Sequence, residues 1–169
     1  PLSLADTGYA GALGSAIHGA VAASLINTGQ DCTAATRAIV AQPLYDDFMA
    51  GVAELFGKVV TGDPYDPNTD LGPVISTPHR TKVAGMVQRA QQQGGRIVTG
   101  GAMPEGPGMF YPPTLIADVA EDSEIYRDEI FGPVLAVTGF DDEAQGIALA
   151  NDTIYGLAAS VWTGSISRA

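Results

Sequence analysis

Apolar residues recur at Ala10, Leu13, Ile17, Val21 and Leu25, spaced by three and four, which marks one face of a helix. Gly11, Gly14 and Gly19 lower its intrinsic propensity, so close packing must sustain it. Asn27-Thr28-Gly29 ends this helix, and Arg37-Ala38-Ile39-Val40-Ala41, short, apolar and β-branched, reads as a buried strand. Pro43 opens a second helix with the stripe Leu44, Phe48, Val52, Leu55 and Val59. Turn formers fill the stretch from Gly62 to Asp70. Thr77, followed by Pro78, caps a third helix whose stripe is Val83, Met86, Val87 and Ala90, and Gly94-Gly95 stops it. Arg96 to Thr99, Thr114 to Val119, Val134 to Thr138 and Leu157 to Trp162 read as strands, with an acidic connector between the second and third. Asp141 caps a last helix, with Asp142 and Glu143 in its first turn, where the positive helix end favours them; it ends near Asn151, a candidate C-terminal cap. Helices alternating with continuous apolar strands predict an α/β fold, an open, mostly parallel twisted sheet with helices on both faces.

Composition narrows the function more than the fold. At 169 residues, 46% hydrophobic and 16% charged, the chain suits one globular domain with a sizeable core. Eight Lys and Arg against nineteen Asp and Glu give a net charge of −11, which opposes binding to nucleic acid and to anionic membrane. The carboxylates are dispersed among apolar segments, unlike those of a disordered acidic tail. No stretch is long and apolar enough for a membrane span, and the start carries no basic signal region. The chain opens on Pro1 and stops two residues past Ser167, as a piece of a longer polypeptide would.

A lone cysteine, Cys32, excludes an internal disulfide and fits a reducing, cytoplasmic location. His18 and His79 lie far apart with no second thiol, too few soft ligands for structural zinc; His18, near the apolar stripe, reads as a satisfied structural histidine rather than a base, and His79 as a surface residue. The chain has no glycine-rich phosphate cradle of its own and no nucleophile-elbow serine. Cys32 itself sits in Asn27-Thr28-Gly29-Gln30-Asp31-Cys32-Thr33. Free cysteines are more often small buried hydrophobes than nucleophiles, but this one is flanked by amide and backbone donors in a turn.

That string resembles the cysteine signature of the aldehyde dehydrogenase superfamily. Further along, Asp128-Glu129-Ile130-Phe131-Gly132-Pro133-Val134 is similar to the family's Glu-x-Phe-Gly-Pro stretch. Shorter blocks agree in the same order: Gly62-Asp63-Pro64, Leu71-Gly72-Pro73, Gly100-Gly101, Pro113-Thr114-Leu115, and Ala150 to Ala158. The resemblance implies that residues 1–169 are a cysteine-bearing catalytic domain, with the coenzyme-binding domain and oligomerisation arm lying outside the chain. It implies NAD(P)-dependent oxidation of an aldehyde to a carboxylic acid, with Cys32 as nucleophile and a thiohemiacetal and a thioester in turn. Asn27, Gly29 and Gln30 would support the catalytic loop. Glu129 would accept hydrogen bonds from the nicotinamide ribose, and Phe131 would pack beside the nicotinamide. The coenzyme, NAD or NADP, would be held mostly by the missing domain, which would also supply the general base and an oxyanion amide. The expected partner is a small-molecule aldehyde, in a homo-oligomer, and no metal is implied. Gln30-Asp31-Cys32-Thr33-Ala34-Ala35 is similar to the aminoaldehyde and betaine aldehyde branch. Asp31 would there attract a cationic amine or merely order the loop. The isolated piece could instead be a non-catalytic folding or association domain, or a weak thiol esterase.

Overall fold

In the computed structural model, residues 11–165 and 167 are described. Helix α1 (Gly11–Leu25) runs directly into a 3-10 turn, Ile26–Gly29. Strand β1 (Arg37–Ala41) follows, then α2 (Gln42–Lys58), α3 (Thr77–Gln92), β2 (Arg96–Thr99) and β3 (Thr114–Ala117). A short α4 (Glu124–Arg127), β4 (Val134–Phe140) and α5 (Glu143–Asn151) complete the order. The sheet runs β1-β4-β3-β2; β4 is parallel to both neighbours, and only the β2–β3 pair is antiparallel. The mostly parallel α/β architecture expected from the alternation is therefore the one observed.

Side chains alternate across a strand, and the two central strands feed two cores. Leu115, Ala117, Leu135 and Val137 face α1 and α2, where Ile17, Val21, Phe48, Val52 and Leu55 are buried. Ile116, Val134 and Ala136 face the opposite side, against Val83, Met86, Val87 and Ala90 of α3 and Ile125 of α4. A strand buried on both faces must be apolar without alternation, which is why β3 and the start of β4 read as continuous runs.

Several boundaries differ from expectation for local reasons. Ser76, not Thr77, caps α3: its backbone is extended and its hydroxyl accepts from His79 N–H at 3.2 Å. Asp142 rather than Asp141 caps α5, accepting from Gln145 N–H at 2.9 Å. Asn151 is the last residue of α5 and Asp152 its C-cap; the Asn151 amide donates to Ile147 C=O at 2.8 Å. Leu44, at the first turn of α2, is exposed while Phe48, Val52 and Leu55 turn inward, and Val59 is the extended, half-buried C-cap. Only Val40 of β1 is buried, because β1 lies at the sheet edge. Leu157 to Trp162 forms no strand: the segment has no ladder partner among the described residues and leaves Leu157, Val161 and Trp162 exposed. Ala10, the first position of the opening stripe, lies outside the described residues. Among the described residues, no helix is long and apolar enough to cross a membrane.

Candidate active site

The turn that carries Cys32 is built from unusual backbone. Asn27 (φ 46°), Thr28 (φ 60°) and Gly29 (φ 69°) follow one another in the left-handed region, which costs a β-branched residue such as Thr28 most. Tertiary contacts hold the turn there. Thr28, buried, donates its hydroxyl to Gly72 C=O at 3.3 Å. Gln30 accepts from Ile75 N–H through Oε1 at 2.8 Å and donates to Asn27 C=O through Nε2 at 3.3 Å. Asn27 returns its own amide to Gln30 C=O at 2.9 Å. Asn27 and Gln30 thus lock the turn to itself, and Thr28 and Gln30 tie it to the loop at Gly72 and Ile75.

Gly29 joins this turn to the second signature. A Cβ placed on Gly29 would lie 2.1 Å from Gly132 O and 2.3 Å from Gly132 C, so the two backbones touch where only glycine fits. Cys32 is exposed three residues beyond this contact, and its thiol has no hydrogen-bond partner among the described residues. Asp31 turns toward its own loop: Oδ1 accepts from Thr33 N–H at 2.7 Å and from the Thr33 hydroxyl at 2.5 Å. Those two bonds, the hydroxyl's first, hold the Asp31 carboxyl below its ordinary range.

On the other side of Gly132, Phe131 is also left-handed (φ 58°) and half-buried. Glu129 is exposed; its carboxylate accepts no hydrogen bond among the described residues, while its backbone is fixed at both ends. The Glu129 N–H donates to the Tyr155 hydroxyl at 3.4 Å, and Lys82 Nζ donates to Glu129 C=O at 3.1 Å. Three residues earlier on the same helix, the His79 imidazole Nε2 lies 2.5 Å from Phe131 C=O, and the two rings meet edge to face at 6.1 Å. Val83 closes the contact, since a Cβ on Gly132 would meet its Cγ2 at 2.7 Å.

All of the residues singled out from sequence (Asn27, Gly29, Gln30, Cys32, Glu129, Phe131) therefore lie on two segments that meet at the Gly29–Gly132 contact. Sequence reading missed Thr28, Lys82 and Tyr155, and placed His79 on the surface, whereas it is half-buried against Phe131. The spacing of His79, Lys82 and Val83 marks one helix face, but nothing in it names the segment that face touches. His18 is half-buried, with Nδ1 3.0 Å from Gly14 C=O, in keeping with a structural histidine. Among the described residues, no group of His, Cys, Asp and Glu is placed to hold a metal ion.

Residues 10–169 match the model of the aldehyde dehydrogenase family. The chain belongs to that family. It is 42% identical over 160 residues to betaine aldehyde dehydrogenase of Sinorhizobium fredii, covering 93% of this chain and 33% of that protein. It is 41% identical over 157 residues to the NADP(+) succinate-semialdehyde dehydrogenase of Deinococcus radiodurans, covering 93% and 33%. Among solved structures, it resembles betaine aldehyde dehydrogenase from Staphylococcus aureus in complex with NAD+, with a TM-score of 0.87 and 35% identity over 92% of this chain and 31% of that one. Lactaldehyde dehydrogenase from Escherichia coli is similar at a TM-score of 0.89 and 38% identity, over 92% and 33%. This aldehyde dehydrogenase chain thus spans about a third of the length of the curated relatives it matches.

Proposed function

We propose that this chain is the cysteine-bearing catalytic portion of an NAD(P)-dependent aldehyde dehydrogenase, with Cys32 as the nucleophile. The observation that carries the proposal is the meeting of two sequence-distant signatures at Gly29 and Gly132, with an exposed thiol on one and an unpartnered carboxylate on the other. The Cys32 thiolate adds to the aldehyde carbon and gives a tetrahedral thiohemiacetal. Its oxyanion is stabilised by the Cys32 backbone N–H and an amide outside this chain, each donor being worth about 2.7–4 kcal/mol. Bound nicotinamide supplies the hydride acceptor. Loss of hydride leaves a thioester on Cys32, and water releases the acid and the thiol.

The residues present fit the coenzyme: an exposed carboxylate free of protein donors, on a backbone fixed at both ends, suits a pair of ribose hydroxyls. Glu129 would be their acceptor, and Phe131 would pack beside the nicotinamide. Asn27, Gly29 and Gln30 hold the loop, and the Asp31–Thr33 bonds support a loop-ordering role for Asp31 over amine recognition. The chain alone turns over no aldehyde, because the base and the dinucleotide grip lie outside it. In the full-length polypeptide, iodoacetamide labels Cys32 near neutral pH and Cys32→Ala abolishes coenzyme-dependent aldehyde oxidation. Oxidation persisting in that variant would overturn the assignment.

A further inference from the structure

Neither signature includes helix α3, yet this helix supports the segment to which the coenzyme role falls. A carbonyl oxygen only accepts, so the 2.5 Å contact with Phe131 C=O requires a proton on His79 Nε2. The His79 backbone is held from its own side, because its N–H is tied to the Ser76 cap at the start of α3. Its edge-to-face contact with the Phe131 ring, at 77° between planes, fixes the ring as well as the carbonyl. Phe131 needs this support, since a bulky residue at φ 58° has easier backbone conformations to relax into. Its neighbours on either side are already immobile: Ile130 is fully buried and Gly132 is wedged between Gly29 and Val83.

We propose that His79 is a positioning residue for the coenzyme: its Nε2–H holds the Phe131 carbonyl and thereby sets how the Phe131 ring and the Glu129 carboxylate meet the nicotinamide riboside. The inference rests on the proposed function. Without the donor, the Phe131 carbonyl and ring lose their fixed orientation between those anchored neighbours, and coenzyme binding weakens while the Cys32 turn, tied elsewhere through Thr28 and Gln30, stays in place.

The test uses the full-length polypeptide, with whichever of NAD and NADP the wild type turns over, and butanal. A typical hydrogen bond corresponds to roughly a three- to tenfold change in binding, so His79→Leu is expected to raise the KM for coenzyme about three- to tenfold. The KM for butanal and the rate of Cys32 alkylation by iodoacetamide in the free enzyme should stay near wild type. His79→Gln, whose amide N–H reaches the position of Nε2, should restore the coenzyme KM, an outcome that a merely space-filling histidine would not give. If His79→Leu does not fold, His79→Asn, whose donor falls a methylene short, should show the same rise. An unchanged coenzyme KM in the folded variants, or a loss in every parameter that Gln does not rescue, would overturn the role. Cys32→Ala and Glu129→Gln run alongside separate the two readings. If both leave aldehyde oxidation intact, the proposed function fails and this inference with it; if they cripple it while the His79 variants do not, only the positioning role fails.

Discussion

Replacing Gly29 by alanine tests the contact that joins the two halves of the site. The cost has two parts. A Cβ on a left-handed residue costs about 1–2 kcal/mol whatever surrounds it, and Gly29 has φ 69°. The new methyl would also meet Gly132 O at 2.1 Å, Gly132 C at 2.3 Å and Pro133 N at 2.8 Å. All three are backbone atoms, so no side-chain rotation relieves the overlap, and overpacking of this kind costs a further ~1–3 kcal/mol. Gly94 provides the control: it has φ 100° and nothing within 4 Å of the Cβ position, so Gly94→Ala carries the conformational part alone. Urea unfolding followed by far-UV circular dichroism should therefore place Gly29→Ala lower in stability than Gly94→Ala by about 1–3 kcal/mol. With a slope of roughly 1–3 kcal/mol per molar urea, the midpoints should differ by about 1 M. The Gly29→Ala variant should also change the rate of Cys32 alkylation, which Gly94→Ala leaves alone. Equal midpoints for the two variants would refute the backbone contact, and with it the argument that the signatures converge.

The Arg89 guanidinium donates to Glu124 through Nε at 2.5 Å and Nη2 at 2.9 Å, and holds its carboxyl below the ordinary value of 4.5. A lowered folded-state pKa contributes stability above the ordinary value that is lost as pH falls through the lower folded one. The urea midpoint of Glu124→Gln should thus lie below wild type at neutral pH and approach it as the pH falls from 4.5 through the lower folded-state value; a gap that persists in stronger acid would contradict this. The chain alone should also self-associate, because β1 lies at a sheet edge and Ile154, Leu157 and Val161 are 89%, 67% and 71% exposed. A single 17.4 kDa species by light scattering at high concentration would count against association.

How much of this was legible in advance follows from what each signal measures. Hydrophobic period finds elements that bury a face, so α1, α2, α3 and the central strands were readable, and β1 spans the same residues, Arg37–Ala41, that the sequence pattern marks. Period says nothing about whether a strand finds a partner, and Leu157 to Trp162, as apolar as the others, remains unpaired among the described residues. Cap positions slipped by one residue, at Ser76 and Asp142, because neighbouring Ser, Thr and Asp compete for the role and the backbone extension that decides between them is a tertiary property. The site residues were readable only through their resemblance to a family, since local chemistry makes Glu129 one acid among several. His79 escaped for the opposite reason: its partner is a backbone carbonyl, which leaves no trace in side-chain pattern.

Those two kinds of failure share a cause that bears on how the site works. Asn27, Thr28, Gly29 and Phe131 all hold left-handed backbone, and only Gly29 does so without intrinsic penalty. Such a geometry is not stable as an isolated turn; it persists because contacts distant in sequence over-determine it. Thr28 is tied to Gly72, Gln30 to Ile75, Gly29 to Gly132 and Phe131 to His79, so the loop at Gly72–Ile75 and helix α3 are as much part of the site as the signatures. The regular elements contribute the rigid frame: α3 is packed through Val83, Met86 and Val87 onto the same buried face of β3 and β4 that leads into Pro133 and Gly132. Cys32, the proposed nucleophile, lies in a turn clamped at several points beside a segment clamped from a helix, so it is held by tertiary structure rather than by its local sequence. Substitutions at Thr28 and Gln30, which tie the turn and carry no chemistry, should therefore change the rate of Cys32 alkylation as Gly29→Ala does, whereas those at His79 act on the Phe131 segment alone.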